Sequence, residues 1–498
     1  MKKLITSGLS LVVLSFCLGA QNTTKAYIAA ADSSATVVVG QADMNSNQEN
    51  RGGTVAANTM YEPTGAVIAG DKLIVVDSLN SRVLIYNTIP TTNGATPDVV
   101  IGQADLTHND ANQGGSVAAN TLNFPVGLTT DGTKLIIADY GNHRVLVFSA
   151  IPTTSNANAN VVIGQADMTG HDANQGGAVS ASTLNYPYNV YYNGTKLFIS
   201  DNGNSRVLIF NSLPTTDNAS ANVVVGQANM TGHDANQGGA VSENTLNQPV
   251  GVWADNDKLI VGDYKNNRVL VYNSVPTSNN ESANVVIGQA NMSGSTANQG
   301  GSVAANTLYE PYTVFVFNSK LYVSDNRNNR VLVYNAIPTS NNASADAVVG
   351  QADMTSATLN RGGAATAGTL YRPNGIFANA DKLLIADRHN SRVLIYDNQD
   401  VTTTPSRIKY SKAKGKQKTV TLNFYGLSVD KTKKKYYTAR IGGSKMKVKS
   451  VKKYSDRVKV RVQYKYGKKA RDTYDVSLKY KYKSTTTNRS AANLITIY

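Results

Sequence analysis

Residues 138–148 read Ala138-Asp139-Tyr140-Gly141-Asn142-His143-Arg144-Val145-Leu146-Val147-Phe148. A tight Asp-x-x-Asn turn leads into a β-branched, aromatic run that opens on arginine, which reads as the joint between two short strands. The frame occurs six times: Asp77/Asn80/Arg82, Asp139/Asn142/Arg144, Asp201/Asn204/Arg206, Asp263/Asn266/Arg268, Asp325/Asn328/Arg330 and Asp387/Asn390/Arg392. Each copy follows the last by 62 residues, with no insertion or deletion. Gly40-Gln41 returns at 102, 164, 226, 288 and 350, and Pro63 returns at 125, 187, 249, 311 and 373.

Working outward, each unit reads as four short strands, a to d. In the third unit the expected strands are Tyr188–Tyr192, Lys196–Ser200, Arg206–Asn211 and Asn222–Gly226, bounded by Gly, Asn, Asp or Pro. Four-stranded units in tandem predict an all-β protein whose main domain is a β-propeller. The array begins with an orphan d strand, Val37–Gly40, and its last unit has a, b and c but no d. Joining the two ends completes six blades and removes two open sheet edges. The expectation is a six-bladed propeller over 37–400, its last blade closed by the N-terminal strand.

The segment 138–148 resembles an NHL repeat, Asn142-His143-Arg144 included. The resemblance implies a six-bladed propeller. It also carries a second possibility, since some NHL-type propellers are lyases or hydrolases with a metal near the ring axis. Blades here are longer than in the family, the excess lying between d and the next a, as in Ala104–Leu122.

In each unit the Asp and Asn suit a turn, and the Arg can reach back to the Asp carboxylate. These sets therefore read as structural turn latches. Because strands alternate in direction, the b–c turns and the long d–a inserts emerge on one face of the ring and crown it. Loops on a rigid scaffold are the usual place for recognition. On this crown Asn112, Asn174, Asn236 and Asn298 are followed by Gln113, Gln175, Gln237 and Gln299, while Arg51 and Arg361 replace Gln after Asn50 and Asn360. These amides and arginines are candidate contacts for a protein or glycan.

Catalytic signals are sparse. No Gly-x-Ser-x-Gly, His-Glu-x-x-His or phosphate-loop pattern occurs. The inner a strands contain no histidine; His171-Asp172 and His233-Asp234 recur one repeat apart as the weak metal candidates. The expectation is a non-enzymatic binding protein without cofactor or metal, the alternative being the lyase or hydrolase above.

Residues 1–20 carry Lys2 and Lys3, an apolar stretch and small residues, the order of a signal peptide, so a secreted or envelope-associated protein is expected. Cys17, the chain's one cysteine, falls in a stretch resembling a lipoprotein box, with Phe16 where that box has a small residue. Its position in the leader leaves the mature chain without disulfides. No apolar run is long enough to span a bilayer. Residues 21–36 read as an N-terminal linker.

Composition turns basic after Pro405: residues 405–498 hold 27 Lys and Arg against four acids. Val458, Val460 and Val462 alternate with Arg457, Lys459 and Arg461, and a second run alternates Tyr and Leu with Lys479, Lys481 and Lys483. Such strands have one buried side and one wet, basic side. With 401–412 as linker, 413–498 is expected to be a β-sandwich. Ala439-Arg440-Ile441-Gly442-Gly443, Lys447-Val448-Lys449-Ser450-Val451 and Tyr474-Asp475-Val476-Ser477-Leu478 resemble an immunoglobulin-like IPT/TIG domain. The basic face is expected to contact an anionic envelope polymer, with nucleic acid the least favoured partner.

Overall fold

The structure is a computed structural model of the 498-residue chain. It describes residues 34–397 throughout and, beyond them, the strands Lys25–Ala26, Gln399–Thr404, Arg407–Ile408, Gln417–Tyr425, Tyr437–Ile441, Ser444–Lys453, Arg457–Lys465, Asp472–Tyr482 and Thr485–Ile497. The stretch read as a signal peptide (1–20), with Cys17, and Lys483 lie outside the described residues. The chain divides into two compact units.

The larger unit is a six-bladed propeller of four-stranded antiparallel sheets. Blade 1 comprises Pro63–Ala69, Lys72–Asp77, Arg82–Tyr86 and Val99–Ile101, and blades 2 to 5 repeat that order. Blade 6 takes Pro373–Ala378, Lys382–Asp387 and Arg392–Asp397 from one end of the array and Val37–Val39 from the other. The closing register pairs Val37 with Ile395, Val38 with Leu394 and Val39 with Val393. The third unit's strands are Pro187–Tyr192, Leu197–Asp201, Arg206–Phe210 and Val223–Val225, so each d strand is shorter than its sequence suggests. Among the described residues the helical pieces are single 3-10 turns, and no helix is long and apolar enough to cross a membrane.

The core is a set of layers between neighbouring blades. Val83 and Ile85 of blade 1, for example, pack with Leu135 and Ile137 of blade 2. Strict alternation inside each strand thus feeds two layers at once, which explains why b and c strands are apolar on both sides. The inner strands approach backbone to backbone near the axis: a Cβ on Gly127 would stand 2.6 Å from the Tyr188 carbonyl oxygen. The Gly of each Gly-Gln pair is doubly constrained. Gly102 has φ of +89° and a Cβ there would meet Leu122 at 2.5 Å. Its partner Gln103 is buried, donating through Nε2 to the carbonyls of Ser81 at 3.0 Å and Asp110 at 2.8 Å, which ties a b–c turn to the following insert.

The outer d strands are covered in turn. Val100 N–H donates to Ser155 Oγ and its carbonyl accepts from Asn156 N–H, both on the c–d loop of the next blade. The same cap covers Val38, Val162, Val224 and Val286. A short strand with both edge groups occupied is a poor template for aggregation.

In the smaller unit the described strands form one hydrogen-bonded series. The register sets Val420, Leu422 and Phe424 opposite Val462, Val460 and Val458. Val460 is buried, while Lys447, Lys449 and Lys452 are exposed. The strand Gln399–Thr404 runs from the last residues read as propeller into the stretch read as a linker, which also holds the strand Arg407–Ile408; a run of β-branched residues pairs Val401 with Phe424. Arg457, Lys459, Arg461, Lys479 and Lys481 lie on strands of this unit.

Candidate functional site

The six Asp–Arg pairs are fully buried. Nε of Arg82, Arg144, Arg206, Arg268, Arg330 and Arg392 lies 2.7–2.8 Å from Oδ2 of Asp77, Asp139, Asp201, Asp263, Asp325 and Asp387. Each arginine also serves two inserts. Arg144 donates to the carbonyls of Ala118 and Thr121 on the insert before it and of Met168 on the insert after it. Arg392 makes the same reach across the chain ends, to Met44 at 2.6 Å. Burial pushes the aspartate pKa values up, opposed by the guanidinium and the N–H donors.

The amides nominated on the inserts are engaged inside the protein. Asn112, Asn174, Asn236 and Asn298 exchange hydrogen bonds with Asn142, Asn204, Asn266 and Asn328 of the b–c turns. Gln113, Gln175, Gln237 and Gln299 each donate at 2.8 Å to a c–d loop asparagine: Asn156, Asn218, Asn280 and Asn342. Both residues of each Asn-Gln pair are left-handed, so the motif folds the insert back along the blade's outer side. Arg51 and Arg361 donate from Nε to the carbonyls of Gly40 and Gly350. His171 and His233 are exposed, each with Nδ1 3.1 Å from a carbonyl two residues earlier, of Thr169 and Thr231. Among the described residues no group of three or more His, Cys, Asp or Glu is arranged to hold a metal ion.

A different set of residues gathers at the axial end of the crowned face. The residue before each strand-a proline is Glu62, Phe124, Tyr186, Gln248, Glu310 or Arg372, and all six have φ between 48° and 50°. Left-handed backbone is uncommon for such side chains and is held by its surroundings. Here the holder is the neighbouring blade: Tyr186 N–H donates to His143 Nδ1 at 3.0 Å, Glu310 N–H to Asn267 at 2.8 Å and Arg372 N–H to Asn329 at 2.9 Å. Residues that open the 3-10 turns between strands b and c, namely Tyr140, Tyr264, Lys265, Arg327, Arg388 and His389, join the cluster. These positions differ from blade to blade, whereas the latch does not change.

One sector is aromatic. Ring centroids lie 4.7 Å apart for Tyr140–Tyr186, 5.8 Å for Tyr140–Tyr188, 5.6 Å for Tyr188–Tyr312 and 5.0 Å for Tyr264–Tyr312. Phe124 adds an edge contact to Tyr140. Tyr188 reaches across the axis, where its hydroxyl accepts from Asn374 Nδ2 of the opposite blade at 2.9 Å. The other sector is charged. Glu62 meets Arg388 at 2.7 Å, and Glu310 meets Arg327 at 2.5 Å and Lys265 at 3.2 Å. Burial works against the Glu310 charge, but its bonds to Arg327 and Lys265 hold its pKa below the usual range. His389 is pushed down to about 4 by burial, with Arg388, Arg372 and Arg327 adding to the effect against Glu62.

An axial cavity of about 130 Å³ is lined by all six inner strands, with Val126, Tyr188, Val252, Val314 and Asn374 among the lining residues. The lining contains no His, Cys, Asp or Glu. The mouth residues escape a motif search because they are spread over different repeats; the available signal was that the pre-proline position changes chemistry from copy to copy.

Acid should loosen this region. His143 accepts an N–H through Nδ1, which requires the neutral ring, and burial lowers its pKa. His389 is lowered as well. The unfolded chain therefore takes up these protons first. The stability held by neutral imidazole is complete above about pH 6.5 and is lost as pH falls toward about 4. The urea midpoint should drop between pH 7 and pH 5, and the His143→Gln/His389→Gln double variant should show a flatter profile. An equal slope in that variant would assign the acid sensitivity elsewhere.

The NHL repeat model matches residues 122–148, which take in strands a, b and c of blade 2 and the Asp139–Arg144 pair. The chain is also similar to a structure titled as a nidogen/laminin complex, at 13% identity and a TM-score of 0.28, over 55% of this chain and 75% of that one. Glutaminyl cyclase of Myxococcus xanthus aligns at 11% identity and a TM-score of 0.32, over 69% of this chain and 94% of that one. No curated protein matches the chain.

Proposed function

We propose that this is an exported, non-enzymatic binding protein. Its propeller recognises a glycan or protein at the axial end of the long-loop face. Its basic C-terminal unit, an immunoglobulin-like β-sandwich, associates with an anionic envelope surface. One observation carries the reading of the propeller: the residues before the strand-a prolines differ in chemistry from blade to blade, gather at one axial end and are held there in left-handed backbone. A scaffold that repeats its latch six times and sets different side chains around one axial mouth is suited to recognition there. The axial cavity itself presents no His or carboxylate to a metal of a lyase or hydrolase; the mouth's Glu62 and Glu310 are taken up by Arg388, Arg327 and Lys265, and His143 by the Tyr186 N–H.

The test compares binding of the full chain to isolated envelope material across a salt series. Replacing Arg457, Lys459 and Arg461 by glutamine should remove the component that salt releases, because exposed charges are screened within about 8 Å at physiological ionic strength. The Tyr186→Ala/Arg372→Ala variant should remove the component that persists when Arg457, Lys459 and Arg461 are replaced. If that component survives the double variant, the mouth is not the recognition site.

A further inference from the structure

The chemistry of the mouth narrows its ligand, and the following rests on the reading of the mouth as the recognition site. Outside the six latches, residues 34–397 contain five arginines: Arg51, Arg327, Arg361, Arg372 and Arg388. Arg51 and Arg361 are tied to the carbonyls of Gly40 and Gly350. The other three gather on blades 5 and 6, where all of them act electrostatically on His389. Lys265 joins them from blade 4, over the Tyr264 ring at 4.5 Å from its centroid. Four cations thus share the mouth with two carboxylates, Glu62 and Glu310, in a unit that elsewhere has an excess of acid.

Concentrating cations in this way is unfavourable unless an anion joins them, and a guanidinium presents a planar fork that matches a carboxylate. Arg327 and Arg388 are held by Glu310 and Glu62, whereas Arg372 has no ion pair among the described residues. Its backbone is fixed by Asn329, so the unpaired guanidinium stands on a rigid base. In blade 3, at the equivalent position of the ring, Tyr186 is 41% exposed and backed by Tyr140 at 4.7 Å. Tyrosine faces carry negative charge density and suit the polarised C–H face of a sugar ring, while their hydroxyls and nearby amides suit sugar hydroxyls. A peptide carboxylate would use the arginines but would leave the tyrosine platform without a flat partner.

We propose that the mouth binds an acidic saccharide, its ring against the tyrosines and its carboxylate at Arg372. The test is calorimetric titration of the full chain with trigalacturonate, with neutral galactotriose and with triglutamate as comparisons. Trigalacturonate should bind at least ~10-fold more tightly than galactotriose, the loss expected when one charge-assisted contact is missing, and more tightly than triglutamate, which lacks a ring for the tyrosines. Arg372→Ala should weaken trigalacturonate by a similar factor without affecting galactotriose, and Arg372→Lys should restore only part. Tyr186→Ala should weaken both sugars. Equal binding of galactotriose overturns the anionic part, and equal binding of triglutamate overturns the saccharide part, while both leave the mouth in place. Trigalacturonate binding that survives both Arg372→Ala and Tyr186→Ala assigns it to the basic C-terminal unit and overturns the mouth itself. Failure of trigalacturonate to bind overturns the proposal.

Discussion

Replacing Arg206 by leucine should cost about 3–5 kcal/mol of propeller stability, the range for breaking a buried ion pair from one side. Arg206 is fully buried and places four bonds: to Asp201 at 2.7 Å, and to the carbonyls of Met230, Ser180 and Thr183 at 2.5–2.9 Å. Leucine has comparable apolar bulk but leaves the Asp201 carboxylate buried without its counter-charge and three carbonyls without a donor. Urea denaturation of the full chain should show the propeller transition moving to lower concentration. Arg206→Lys should fall between, because one ammonium cannot reproduce the fork. Adding Asp201→Asn to Arg206→Leu should recover part of the loss, since the stranded charge is then gone. A loss below about 1 kcal/mol would show that the latch carries little of the fold.

The second large effect concerns ring closure. A chain truncated to begin at residue 41 loses Val37–Val39 and with them the ladder to Val393–Ile395. Val38 and Val39 are fully buried, and the three valines serve two different layers: Val38 packs with Ile385 and Leu394, while Val37 and Val39 pack with Val75 and Leu84. Their removal strips both faces of blade 6 and exposes the edge of Arg392–Asp397. An unpaired apolar edge recruits another chain, so light scattering should show self-association. The urea midpoint should fall further than for Arg206→Leu, because burial of three valines, at about 1.5–3 kcal/mol each, is lost together with the ladder. Val38→Asp in the full-length chain should behave alike. A truncated chain that stays monomeric with an unchanged midpoint would mean that the strand does not close the ring.

The loss should be concentrated in blade 6 and its neighbours. The closing seam uses the same chemistry as the other five: Gln41 donates to Ser391 as Gln103 does to Ser81, and Arg392 reaches Met44 as Arg82 reaches Leu106. Once Val37–Val39 is absent, these bonds lose the strand that brings residues 41–44 alongside blade 6.

Much of this was legible along the chain. Blade number follows from a 62-residue step, and closure follows from counting strands at the two ends. The Asp-x-x-Asn-x-Arg frame already states its own bond, because Asp201 and Arg206 pair directly across one turn. The role of Gln113 was not legible. Its partner Asn156 lies 43 residues away on a c–d loop, which is drawn close only because that loop caps the d strand of the preceding blade. Local turn chemistry marks Asn-Gln-Gly-Gly as a turn, but not what its side chains reach.

By itself the sequence determined the repeat, the strand order, the latch and the pairing of the chain ends, since each rests on contacts within one unit or on arithmetic along the chain. Only the tertiary structure decided the mouth. Tyr188 and Asn374 are 186 residues apart, and Glu62 and Arg388 are 326 apart. Ring closure makes neighbours of positions that are equivalent in different repeats, so side chains with no proximity along the chain converge around one axis. A periodic sequence states what its units share. What their differences do depends on where rotation about the axis brings them together.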